Sequence, residues 1–148
     1  MPVKPILVGL HLAFAIIGID AFLWLLGELA AKVENARRRA FVATVGFVSF
    51  ALSWLLGGYY YVVFYGPTVK PIIKAGMAPW AHAVVMEAKE HIFLFMIPMA
   101  FTAILAARAT SPELRKSTMW LTGSLAALGL FLGLMGYIIS AAARWGAV

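Results

Sequence analysis

Four long apolar runs, separated by short polar stretches, organise this chain. The first goes from about Pro5 to Ala30 and is broken only by His11, Asp20 and Glu28. After Lys32-Val33-Glu34-Asn35-Ala36-Arg37-Arg38-Arg39, a second runs from Ala40 to about Phe64 and stops at Gly66-Pro67. Pro67, Lys70, Pro71, Lys74, Gly76 and Pro79 then predict a non-helical connection, the longest loop of the chain, because proline removes a helix donor and its ring clashes with the preceding turn. Pro79 suits the first turn of a third helix, whose strictly apolar part, His91 to Ala107, is only 17 residues long. Its first turns are therefore expected at the interface or inside protein. Ser111 and Glu113 around Pro112 open a fourth run, from about Thr118 to Ala143.

A helix needs about 20 residues to cross the hydrocarbon core of a bilayer. The expectation is an all-α integral membrane bundle with up-down-up-down topology, one domain over 1–148, with spans of about 5–30, 40–64, 80–107 and 118–143. The first run is too long for the apolar core of a signal peptide, and Asp20 would be out of place in one, so it is expected to stay.

Composition agrees with the pattern. Of 148 residues, 64% are hydrophobic and 12% charged, against roughly 45–50% and 25% in soluble domains. Four spans leave no room for a soluble catalytic domain. The absence of cysteine excludes disulfides, iron–sulfur clusters, thiolate zinc sites and covalently attached c-type haem. Histidine and carboxylate are then the strongest ligands present, and there are three histidines. A net charge of +6 raises nucleic acid as a partner, but the basic residues sit in short runs between apolar segments and form no soluble groove. They read instead as topology signals, and the partners expected are membrane lipids.

Lys32, Arg37, Arg38, Arg39, Arg108, Arg115 and Lys116 fall on one face of the membrane, and Lys4, Lys70, Lys74, Lys89 and Arg144 on the other. The compact Arg37 to Arg39 cluster decides the orientation under the positive-inside rule. That face is expected to be cytoplasmic, in a bacterial cytoplasmic membrane, with both termini and the proline-rich loop extracytoplasmic.

The two halves echo one another. His11, Arg37 and Gly58-Tyr59 are answered by His91, Arg115 and Gly136-Tyr137 at offsets of 80, 78 and 78 residues. Duplication with an axis along the membrane normal explains the echo, and so does chance in an apolar chain. Depth can be read without it. His11 lies about six residues, roughly 9 Å, inside its end of the first helix. Gly57 and Gly58 on the second helix, Gly133 and Gly136 on the fourth, and His91 on the third fall at similar depth.

With helices 1 and 3 diagonally opposed, His11 and His91 face one another across a gap edged by glycines. A flat macrocycle needs two axial ligands and close backbone approach at its edges, which glycine permits. His11 and His91 are thus candidate axial ligands of one b-type haem near the extracytoplasmic side, with Gly58 and Gly136 at its rim. Ordinary helix packing through small residues, including Gly129-x-x-x-Gly133, explains the same glycines.

His82 is the runner-up ligand. Nine residues from His91, it lies on the opposite face at 100° per residue, so both cannot point at one iron. Glu87, four residues before His91, is placed to orient that imidazole, or with Lys89 and Glu90 it belongs to a solvated helix start. Asp20 sits near the bilayer midplane, where insertion measurements put an acidic side chain at about 2.5–3.5 kcal/mol, so it is expected to bond Ser49 or Ser53 or to meet another subunit. Tyr59, Tyr60, Tyr61, Tyr65, Trp80 and Trp145 form an aromatic belt, one of whose tyrosines is a candidate wall for a cofactor or quinone. Lys70 and Lys74 are candidate partners of haem propionates or lipid phosphate, and Pro98 is expected to kink its helix.

On these residues the chain resembles the small four-helix membrane b-type cytochromes. The resemblance implies haem b and one-electron transfer, as in a quinone- or small-oxidant-linked oxidoreductase, with a quinone or an extracytoplasmic redox partner. Members of that group often carry two haems on four histidines. Three histidines allow one bis-histidine haem here, unless Met86 or Met96 joins His82. Two other readings stand beside it: a divalent-metal or proton site of His11, Glu87 and His91 in a small transporter, and a cofactor-free accessory subunit. Either a homo-oligomer or a larger membrane complex is expected.

Overall fold

A computed structural model describes residues 3–109 and 111–145. Four helices account for nearly all of them: α1 (Val3–Ala30), α2 (Ala36–Ala75), α3 (Ala81–Ala106) and α4 (Pro112–Trp145), each long and apolar enough to cross a membrane. There is no strand among the described residues. α1 packs on α2 and α4, and α3 packs on the same two, so the contacts close into a ring.

Helix boundaries follow local chemistry. Lys32, at φ 57°, takes the left-handed conformation just past α1. Asn35 caps α2, its side-chain oxygen accepting from the Arg38 N–H at 3.0 Å. Ser111 Oγ accepts from Leu114 N–H at 3.3 Å at the start of α4, where Ser111 and Glu113 signalled it.

One boundary differs from expectation. α2 does not stop at Gly66-Pro67 but continues to Ala75, with Tyr61–Val69 wound as a π-helix. The bond from Lys70 N–H back to Tyr65 O spans five residues. A π turn is wider than an α turn, so the Pro67 ring fits without striking the turn before it, and its missing N–H costs one bond in a helix that otherwise continues. The connection expected over 67–79 shrinks to 76–79. α3 starts just past Pro79, as expected, but its first turns, Ala81–Met86, are again π-helical. At about 1.5 Å per residue the 40-residue α2 is roughly 60 Å long, twice the hydrocarbon thickness.

The middle of the bundle is apolar and close-packed. A Cβ on Gly18 would meet the Phe50 ring, one on Gly46 the Phe22 ring, and one on Gly129 first Ile19 and then Phe50, so the three glycines are notches that these side chains fill. Phe22 and Phe50 lie 5.3 Å apart, and Phe93 stands edge-on to Phe50 at 6.2 Å. Leu25, Met96 and Leu125 are fully buried around them.

Candidate functional site

The polar side chains gather at the two ends of this apolar layer. At one end they hold the connections. Arg39 is buried, and its guanidinium donates to Ala107 O at 3.0 Å, to Ala109 O at 3.1 Å and to Val33 O. It thereby ties the α1–α2 and α3–α4 connections together. Glu28, also buried, accepts from Trp24 Nε1 at 2.7 Å and pairs with Arg38 at 2.6 Å, while Arg38 stacks over the Trp24 ring. Glu28 Oε2 has no partner among the described residues. Thr118 and Thr122 bond carbonyls of their own helix one turn back. The arginines read from sequence as topology signals include one, Arg39, that is an internal clamp.

At the other end lie all three histidines. The His11 ring is fixed by α2: its Nδ1 is 2.8 Å from Ser53 O and 3.0 Å from Ser53 Oγ, and the hydroxyl in turn donates to His11 O at 2.9 Å. Because a carbonyl only accepts, Nδ1 carries the hydrogen. That leaves Nε2 with a free lone pair in the neutral ring, the tautomer suited to a metal or a proton. The ring lies flat on Gly57, where a Cβ would come within 2.8 Å of Nδ1. Lys89 Nζ lies 3.4 Å from the place a Cβ would take on Gly136. The glycine that makes room for His11 is therefore Gly57, whereas Gly58 faces outward with nothing near it.

His82 and His91 occupy opposite faces of α3, as their spacing requires. His82 is the buried one, with Nδ1 3.2 Å from the Tyr65 hydroxyl and Nε2 3.8 Å from Glu87 Oε1. Tyr65 is buried and stacks on Tyr61. His91 is exposed and donates from Nδ1 to Glu87 O at 2.7 Å. Glu87 thus touches both α3 histidines, but it serves His91 with its carbonyl and turns its carboxylate toward His82. The two π-helical stretches, Tyr61–Val69 and Ala81–Met86, meet at this cluster. π turns concentrate at functional sites.

His11 and His91 are not brought together. A bis-histidine haem inside one bundle needs both Nε2 atoms aimed into one gap, and His91 points away from the interior that holds His11. The residues as arranged do not fit that group within a single chain. The sequence echo between His11 and His91 is likewise not an echo of environment. No group of three or more histidine and carboxylate side chains converges on a metal-sized site among the described residues. What sequence reasoning missed is the line Tyr65–His82–Glu87. The signal for it was the clustering of four tyrosines within seven residues of a proline-interrupted segment.

Asp20 is exposed on the outer side of α1, halfway along it, and bonds neither serine. Ser53 is engaged with His11 and Ser49 is buried. Comparison with protein-family models, with curated proteins and with solved structures found no match.

Proposed function

We propose that this chain is an up-down-up-down membrane bundle that exchanges protons at one face of the bilayer, its Arg37 to Arg39 end in the cytoplasm. The observation that carries the reading is the line from Tyr65 through His82 to the half-exposed Glu87. Imidazole accepts a proton on one nitrogen while releasing one from the other, so a phenol, an imidazole and a carboxylate in series form a short relay between a buried hydroxyl and water. Phe22, Phe50 and Phe93 fill the interior between the two ends, and Asp20, the one ionisable side chain at mid-depth among the described residues, faces outward. This favours one-sided exchange over transport.

A molecule reaching Tyr65 from the bilayer must be lipid-soluble with a hydrogen-bonding head. A quinone or quinol has that chemistry: its head oxygen is a hydrogen-bond partner for the Tyr65 hydroxyl, and a proton released there passes through His82 to Glu87. In nanodiscs, a quinone analogue should quench tryptophan fluorescence saturably, with Trp80 exposed beside the site. His82→Asn and Tyr65→Phe should each weaken that binding at least about tenfold. Quenching that never saturates, and is equal in wild type and both variants, would sink the reading.

The haem b electron-transfer reading keeps one supporting observation. In both His11 and His91 the Nδ1–H is bonded to a carbonyl, as in iron-ligating histidines. It requires α3 to turn His91 inward or a neighbouring chain to meet it. Sharp reduced-state absorption bands from protein expressed with haem supplied would support it, and a colourless protein would dismiss it.

A further inference from the structure

Asp20 presents a carboxyl to hydrocarbon, and among the described residues it has no hydrogen bond and no ion pair. Such a group is costly in a bilayer unless something covers it. Among the exposed residues of α1, Gly9, Ala13, Ile16, Asp20, Leu23 and Gly27 form one regular series along a single face. The steps alternate between four and three residues, which is the a/d seam of a left-handed helix pair, with Asp20 near its middle. On one side Asp20 also borders an apolar groove of about 460 Å³ between α1 and α2, with Ile17, Trp24, Phe41 and Val45 in its walls. Arg38, at the groove's end, is committed to Glu28.

We propose that a second copy of this chain covers the face, α1 against α1 in parallel about a two-fold axis along the membrane normal, with the two Asp20 carboxyls meeting there as a neutral, mutually hydrogen-bonded pair. The chemistry of the carboxyl selects this occupant. A protonated carboxyl both donates and accepts, so it is complementary to another carboxyl and needs no cation. In a two-fold contact each seam residue meets its own counterpart, so Asp20 meets Asp20. Gly9 and Gly27, which have open space over their Cα atoms, then let the backbones approach on both sides of the acid pair. A partner helix bearing a lysine or arginine would also satisfy one Asp20, but it would not account for a seam that has small residues on both sides of the acid.

The chain has no cysteine, so single cysteines report cleanly. In native membranes under mild oxidation, Ala13→Cys and Gly27→Cys should give disulfide-linked dimers. Leu130→Cys on the exposed side of α4 and Phe95→Cys on that of α3 should not. In nanodiscs, single-molecule photobleaching should find two copies of the wild type. Asp20→Leu should lower the dimer association constant at least about tenfold, while Asp20→Asn, which still bonds its counterpart, should retain the dimer. The proposal is overturned by a monomeric wild type, by an undiminished Asp20→Leu dimer, or by seam cysteines that stay unlinked or link to a different polypeptide.

Discussion

The two ends of the bundle use the same kinds of side chain for opposite purposes. At the arginine end the bonds hold the connections: Arg39 meets three carbonyls, and Glu28 gathers Trp24 and Arg38 on one oxygen while its Oε2 has no partner among the described residues. At the histidine end, bonds fix each ring through one nitrogen and leave chemistry to the other. His11 Nε2 and His91 Nε2 have no partner among the described residues, and the His82 to Glu87 separation of 3.8 Å is long for a hydrogen bond. One end spends its polar groups on shape, and the other holds them ready to react. The contrast teaches that burial alone does not mark a functional site. Arg39 and His82 are buried alike, and what sets His82 apart is a ring with Tyr65 at one nitrogen and, at the other, the Glu87 carboxylate beyond hydrogen-bond distance.

Substitutions that cost stability at one end and activity at the other sharpen this comparison. The largest loss of stability is expected from Arg39→Ala, which strands three carbonyl acceptors. Hydrogen bonds to a charged group contribute about 1.5–3 kcal/mol each, so a total loss of about 3 kcal/mol or more should appear in thermal unfolding in detergent. Arg39→Lys should recover little of it, since an ammonium cannot span the three acceptors as the guanidinium fork does. Next comes Gly57→Val. Its Cβ would overlap the His11 ring, so overpacking of about 1–3 kcal/mol is expected, together with a displaced imidazole resonance in NMR spectra. Ser53→Ala removes the hydroxyl bonded to His11 O but keeps the Ser53 carbonyl, so about 1 kcal/mol should be lost and His11 should stay in place. The smallest loss is expected from His82→Asn, under about 1 kcal/mol, because the amide still reaches the Tyr65 hydroxyl. Its quinone binding should nonetheless fall most. Equal stability losses for Arg39→Ala and His82→Asn would erase the distinction between the ends.

The four helices were legible because hydropathy depends on composition over a whole span, and a single residue hardly changes it. The site was less legible because it depends on helix phase. Gly57 and Gly58 differ by one residue, hence by 100°, and only one of them lies under His11. Arg37, Arg38 and Arg39 are identical in type, yet Arg39 alone is buried, because the α3–α4 connection brings Ala107 O and Ala109 O to it. The opposition of His82 and His91 followed from their spacing. Which of the two faces inward did not, since that is set by the contact with Tyr65 on α2. The continuation of α2 past Pro67 was hidden because proline reads as a helix stop; π winding accommodates it here, whereas Pro98 is carried within the α-helical part of α3. The outward face of Asp20, by contrast, agrees with its separation of nine residues from His11, whose ring turns toward α2.

The two π-helical stretches carry a consequence for how this site can be gained or lost. A π turn contains one residue more than the α turn it replaces, so deleting one residue within Tyr61–Val69 or Ala81–Met86 would let the helix relax to ordinary winding and rotate whatever follows by about 100°. The spans would keep their length, their hydropathy and their orientation in the membrane. Tyr65 and His82, however, would no longer meet. A single-codon deletion is therefore enough to disconnect the relay while leaving all four apolar spans in place.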